Sequence, residues 1–162
     1  MSESMTVLIV GDGPVADVLG PMVSALGWTP STANSLADAE CELKAADAVV
    51  VTSHHEGLDG PAIRAALAAG VGYVGAMGSR RTQARRREWL VTNGVAEADL
   101  TAVHAPVGLD IGADDPGEIA ISILAEIIAV RRNRLGSVGP IGAREGAVHP
   151  DQEPGSAYCP GG

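Results

Sequence analysis

The first apolar run of the chain, residues 6–10, is an unbroken Thr-Val-Leu-Ile-Val that stops at Gly11. A short β-branched run of this kind is the pattern of a parallel strand buried on both faces. Behind Pro14 the period changes: Val15, Val18, Leu19, Met22, Val23 and Leu26 recur at helical spacing. Gly27 then stands where a helix over 14–26 needs a left-handed residue to end on. The alternation repeats along the chain. Residues 28–33 make a weaker strand, because Pro30 withholds a ladder donor and so belongs at an edge or a strand start. Residues 36–46 read as a short helix, and 47–52, with Ala-Val-Val-Val at its centre, as the clearest buried strand. A helix over 61–69 closes at Gly70, a strand follows at 72–76, and a basic amphipathic helix over 80–91 offers Trp89 and Leu90 for packing. Residues 102–107 supply a fifth strand.

The last helix carries the fullest set of signals. Asp115 stands as N-cap, Pro116 at the first helical position and Glu118 at the third, a box-like cap. Ile119, Ala120, Ile123, Leu124, Ile127 and Ile128 then form one apolar face, and Arg131, Arg132 and Arg134 complement the negative end of the helix dipole. Strands alternating with helices at this spacing imply right-handed crossovers. The predicted fold is α/β: a doubly wound parallel sheet of about five strands in three α/β/α layers, with ligands above the carboxyl ends of the strands. After Leu135 the composition turns to Gly, Pro, Ser and isolated charges. This predicts one domain over residues 1–135 and a flexible Gly/Pro-rich tail over 136–162.

Composition changes the picture in three ways. The chain has no Phe and only two Trp and two Tyr within 46% hydrophobic residues, so Ala, Val, Leu and Ile must build the core. A net charge of −9 repels phosphate at long range and argues against nucleic acid or an anionic membrane as partner. Cys41 and Cys159 lie far apart and suggest neither a disulfide framework nor a cysteine metal site, which fits a reducing cytoplasm. No apolar run approaches the roughly 20 residues of a membrane span. Residues 1–6 lack the basic start and apolar stretch of a secretory signal.

Candidate chemistry falls in four loops, each after a predicted strand. Gly11-Asp12-Gly13-Pro14-Val15-Ala16 matches G-x-G-x-x-A between strand and helix, where glycines permit the tight turn and the helix start attracts phosphate. The acidic residue expected after the second strand to bind a ribose is absent: Asn34 stands there, with Asp38 a helical turn on. A turn kept only for helix-to-strand packing fits the same residues. Thr52-Ser53-His54-His55-Glu56, with Asp59, follows the third strand; the adjacent histidines point apart in extended backbone and suit a polar loop as well as a ligand site. Gly78-Ser79-Arg80-Arg81-Thr82 opens a helix and offers amides, hydroxyls and guanidinium groups to one anion, while Arg85, Arg86 and Arg87 read as a solvated face. In the fourth loop Asp110 is a candidate acceptor for a ligand hydroxyl or a loop-fixing residue, and His104 reads as structural. No Ser-His-Asp order, carboxylate pair or H-E-x-x-H element supports hydrolysis.

Two longer strings carry a family resemblance: residues 73–82, Tyr-Val-Gly-Ala-Met-Gly-Ser-Arg-Arg-Thr, and residues 104–112, His-Ala-Pro-Val-Gly-Leu-Asp-Ile-Gly, continued by Pro116, Glu118, Ile119, Ala120, Ser122, Ile123 and Glu126. With them the chain resembles the carboxyl-terminal Rossmann domain of the XdhC/CoxI family, accessory proteins of molybdenum hydroxylases such as xanthine dehydrogenase and carbon monoxide dehydrogenase. The family's string after the third strand resembles Ser53-His54-His55-Glu56 with Asp59, keeping His54 and changing its neighbours. The resemblance implies a chaperone-like module that binds molybdenum cofactor, supports its sulfuration and hands it to the molybdenum hydroxylase apoenzyme, without turnover of its own. It assigns no catalytic residue and no metal ligand. The family's amino-terminal domain has no counterpart here, which implies a domain working alone, as a homodimer, or with a separate amino-terminal-type family protein. On this reading Gly11, Gly13, Gly78, Ser79, Arg80 and Arg81 hold phosphate, while Asn34, Ser53, His54 and Asp110 line the adjacent cleft. The same glycine loop also fits an NAD(P)-binding oxidoreductase or a nucleotide-sensing module.

Overall fold

The computed structural model describes residues 3–145. Five parallel strands form one sheet in the order β2-β1-β3-β4-β5, with β1 at Thr6–Val10, β2 at Thr29–Ala33, β3 at Ala48–Val51, β4 at Tyr73–Ala76 and β5 at Val103–His104. Six helices connect and follow them: α1 Pro14–Ala25, α2 Leu36–Glu42, α3 Glu56–Ala68, α4 Arg80–Thr92, α5 Glu97–Leu100 and α6 Pro116–Arg131.

The unbroken apolar strands are explained by the two layers that cover them. Val7 and Ile9 of β1, Ala48 and Val50 of β3 and Tyr73 of β4 pack with residues of α1 and α6. Their neighbours Leu8, Val10, Val49, Val51, Val74 and Ala76 face the other way, toward α2, α3 and α4. Alternation of side chains along a strand therefore supplies both faces of the sheet from one run. Each fully buried Val, Leu or Ile contributes about 1.5–3 kcal/mol, so these strands are the main source of stability. Pro30 sits in β2, the edge strand, paired with Val7 of β1, which is where a missing donor is tolerated.

Several elements differ from the sequence pattern. Helix α3 begins at Glu56, with Pro61 inside it, rather than at 61; its acidic first turn, Glu56 and Asp59, suits the positive end of the helix dipole. The predicted second helix ends at Glu42 and tightens into a 3₁₀ turn over Leu43–Ala45. The fifth strand is two residues long, because Pro106 has no N–H with which to extend a ladder. The short α5 was not legible. On α6, Ile128 is exposed rather than part of the buried face. Two 3₁₀ turns, Leu135–Ser137 and Ile141–Ala143, lie at the start of the predicted tail; residues 146–162 lie outside the described residues. Among the described residues no helix is long and apolar enough to cross a membrane.

Helix α6 starts at Asp115 and Pro116 as its sequence indicates, and the Glu118 carboxylate accepts from the Asp114 and Asp115 backbone N–H groups at 3.0 and 3.2 Å. These two bonds, Asp114 first, hold the Glu118 pKa below its ordinary value. A carboxyl whose pKa is depressed by folding stabilises the fold above the unfolded value and loses that contribution as pH falls through the folded one. The thermal midpoint is therefore expected to drop less between about pH 5 and pH 2 in Glu118→Gln than in the parent. Parallel curves for the two proteins would remove Glu118 as a source of acid sensitivity.

Candidate ligand site at the sheet switch point

In a sheet of order 2-1-3-4-5 the chain leaves β1 toward one edge and returns to β3 on its other side, and the loops after these two strands part to leave a crevice. Gly11 and Gly13 border it from β1, and Ser53 and His54 from β3. Gly11 has φ +117, and a Cβ added there would stand 2.5 Å from Ser53 N and 2.8 Å from Ser53 Cα. The close approach of the two loops is thus what Gly11 is required for. Ser53 N and Thr52 N both donate to the Val10 carbonyl, and Ser53 Oγ accepts from His55 N at 3.0 Å. Ser53 is buried and shapes the crevice wall; its hydroxyl is committed to the turn.

Gly13 is different. It has φ +111, but a Cβ added there would meet nothing within 4 Å. As N-cap of α1 it offers no side-chain bond to the helix start, which leaves the first-turn amides behind Pro14 to other acceptors, an anion among them. Asn34, at the end of β2, is exposed.

The remaining predicted residues are spread more widely than one cleft. Ser79 caps α4, its Oγ accepting from Thr82 N at 3.2 Å, while Arg80 and Arg81 are exposed. Gly78 and Asp110 line a hollow of about 250 Å³ with Val107 and Ser122. Arg80 lines another of about 250 Å³ with Gln83, Leu100 and Val103. His54 borders a third, between α3 and α4. The structure thus joins Gly11, Gly13 and Ser53 at the switch point, and Gly78 with Asp110 beside β5. It does not gather all ten into one enclosed pocket. Among the described residues no group of three or more His, Cys, Asp or Glu is placed to hold a metal ion.

Two polar clusters that hold the loops escaped the sequence pattern. Arg86, expected to face water, is buried instead. Its Nη2 donates to Asp59 Oδ2 at 2.7 Å and to the Ser53 carbonyl at 3.1 Å, and its Nη1 donates to the Met77 carbonyl. One guanidinium therefore ties the loop after β3 to the loop after β4. Gln83 adds to it, with Nε2 donating to the Ala76 and Gly78 carbonyls. Arg85 and Arg87 behave as a solvated face, paired with Glu56 and Glu97. In the second cluster, Glu126 Oε1 accepts from Tyr73 Oη at 2.6 Å and from Gly108 N at 3.2 Å. His104 stacks on Tyr73 with ring centroids 4.7 Å apart and brings Nδ1 to 3.6 Å from the same oxygen. Burial, then the Glu126 carboxylate, pushes the Tyr73 phenol far above its usual pKa, so it is a fixed donor. Through the Gly108 amide, Glu126 thus holds the loop that carries Asp110, and His104 packs against this cluster.

Residues 7–127 match the family model of the XdhC Rossmann domain. The chain belongs to the XdhC family. Over 125 residues it is 30% identical to the molybdenum cofactor insertion chaperone PaoD of Escherichia coli K12, an alignment covering 76% of this chain and 39% of that one. Over 86 residues it is 37% identical to a probable xanthine dehydrogenase subunit of Bacillus subtilis, covering 53% of this chain and 24% of the relative. The uncharacterized protein YqeB of E. coli K12 is 44% identical over 68 residues, 42% of this chain and 13% of its own. A crystal structure of a xanthine dehydrogenase from Bacillus halodurans superposes with a TM-score of 0.64 at 23% identity, covering 88% of this chain and 47% of the other. That likeness shows the fold. This XdhC domain thus spans less than half the length of each of these relatives.

Proposed function

We propose that this domain is an accessory module for maturation of a molybdenum hydroxylase, binding molybdenum cofactor as cargo for insertion into the apoenzyme. The observation that carries this reading is the open, uncapped start of α1 at Gly13 in a domain related along 76% of its length to a molybdenum cofactor insertion chaperone. The cofactor's phosphate is a multiply charged anion, and backbone amides at a helix start hold such a group without a catalytic side chain. Arg80 and Arg81, exposed at the start of α4, extend the positive field across the neighbouring loop. His54 and Asp110 border hollows of their own, and the exposed Asn34 follows β2. The module works without turnover, in the cytoplasm, either as a homodimer or with a separate protein of the family's amino-terminal type.

The test is calorimetric titration of the folded protein with anaerobic molybdenum cofactor, NAD, NADP, CMP and GMP. Selective binding of the cofactor is expected. Gly13→Val should weaken it at least tenfold by obstructing the phosphate approach, and Arg80→Ala by about threefold to tenfold through loss of one charge-assisted contact. Preference for a nicotinamide dinucleotide would overturn the reading in favour of an NAD(P)-binding oxidoreductase or redox sensor. Normal cofactor affinity in a folded Gly13→Val protein would leave the glycine loop a packing device.

A further inference from the structure

We propose that the outward strip of α6 is the surface through which two copies of this chain pair, helix against antiparallel helix. This goes beyond the maturation reading and does not depend on it. Helix α6 is packed into the fold around most of its circumference, and the narrow strip it leaves toward solvent runs through Gly117, Ile121, Ala125, Ile128 and Arg132. Residues spaced three and four apart in this way lie on one side of a helix. Ile121 is 54% exposed and Ile128 39%. A lone exposed apolar side chain is ordinary, but a solvent strip accepts any polar residue in its place. Helix formation does not call for isoleucine either, because its branched Cβ lowers helix propensity. Two isoleucines in line on the same strip are better matched to a covering surface than to water.

The charges along the same helix select what covers it. Its start is acidic, with Asp114, Asp115 and Glu118 exposed, and its end is basic, with Arg131, Arg132 and Arg134. Arg131 pairs with Glu3, whereas Arg132 and Arg134 make no ion pair among the described residues. A helix that is acidic at one end, basic at the other and apolar between is complementary to a reversed copy of itself. About a twofold axis near Ala125, Ile121 meets the partner's Ile128, and Asp114 and Glu118 come opposite the partner's Arg134 and Arg132. Such an isologous contact closes at two copies. The small Ala125 at the crossing point permits the approach of about 8–10 Å found between packed helices. A net charge of −9 makes copies repel at faces of one sign, and this face brings positive charge against negative. Ile119 and Ser122, which line the hollow beside Asp110, lie off the strip, so pairing leaves that hollow open. One helix pair is a small interface, and a weak, reversible dimer is expected from it.

The test is sedimentation velocity of the full chain over a concentration series, where a monomer–dimer equilibrium is expected. Ile121→Glu and Ile128→Glu should each raise the dissociation constant by about tenfold or more, because a carboxylate would be buried against the partner's isoleucine. Arg132→Glu should raise it about twofold to fivefold. Leu26→Glu, at an exposed apolar position that ends α1, should leave it unchanged. All four positions are exposed, so circular dichroism should show the parent fold in each variant. Orientation is read by cross-linking in a chain that also carries Cys41→Ser and Cys159→Ser. A mixture of Ile121→Cys and Ile128→Cys chains should form a disulfide-linked dimer in air more readily than either alone, since the bond needs Cα atoms within about 7 Å. A monomer at every concentration, a dimer that both glutamate variants leave intact, or preferential linking of Ile121→Cys chains to each other would overturn the proposal. So would a monomer that uses this strip to bind a separate protein of the family's amino-terminal type. Failure of the cofactor titration described above would leave the pairing result untouched.

Discussion

Replacing Arg86 by Met is expected to lower the unfolding free energy by about 3–5 kcal/mol, because it leaves the carboxylate of Asp59 buried without its counter-charge. The ion pair is enclosed, with side-chain exposures of 8% and 4%, so water cannot replace the lost partner. The same change frees the Ser53 and Met77 carbonyls that the guanidinium now satisfies. Urea denaturation monitored by circular dichroism measures the loss. A double replacement, Asp59→Leu with Arg86→Met, should recover much of it, since a buried pair exchanged for apolar residues of similar volume is often neutral or better. Recovery of stability without recovery of cofactor affinity would identify the pair as the device that positions the two loops. A loss below about 1 kcal/mol in the single variant, the range of a surface pair, would sink the claim that Arg86 is an internal clamp.

Gly11→Ala should destabilise by about 2–6 kcal/mol, summing backbone strain of roughly 1–3 kcal/mol at a positive φ with a similar overpacking cost. The new methyl would meet the Ser53 backbone at 2.5 Å, and backbone held by hydrogen bonds to Val10 cannot step aside as a flexible side-chain end could. Gly13→Ala carries the strain alone, because nothing lies within 4 Å of its Cβ position. The difference between the two alanine variants, measured by thermal and urea unfolding, therefore isolates the steric part. Equal losses would mean that the loops after β1 and β3 do not meet as described.

Much of the fold was legible because parallel strands covered on both faces leave a contiguous record. Residues 6–10 and 48–51 read as strands from their own composition, and their alternate side chains do supply both layers. The capping residues of α6 were equally plain, since a cap is a contact within a few residues. Elements that rest on distant partners were obscured. Arg86 sits in a run of arginines, and local pattern assigns such a run to water; only Asp59, on another helix, shows which one turns inward. Glu126 looked like any helical glutamate until Tyr73 and Gly108 were brought to it.

The amino-acid sequence by itself determined the order and kind of the main elements, the glycine turn after β1 and the family, because hydrophobic period, turn chemistry and motif spacing are short-range properties of the chain. Only the tertiary structure decided that Gly11 serves loop packing while Gly13 stays open, that Ser53 is a wall, and that Gly78 with Asp110, Arg80 and His54 border separate hollows. These depend on which surfaces face each other across the sheet, and burial and the close approach of two backbones are properties of such pairs, written in neither partner alone.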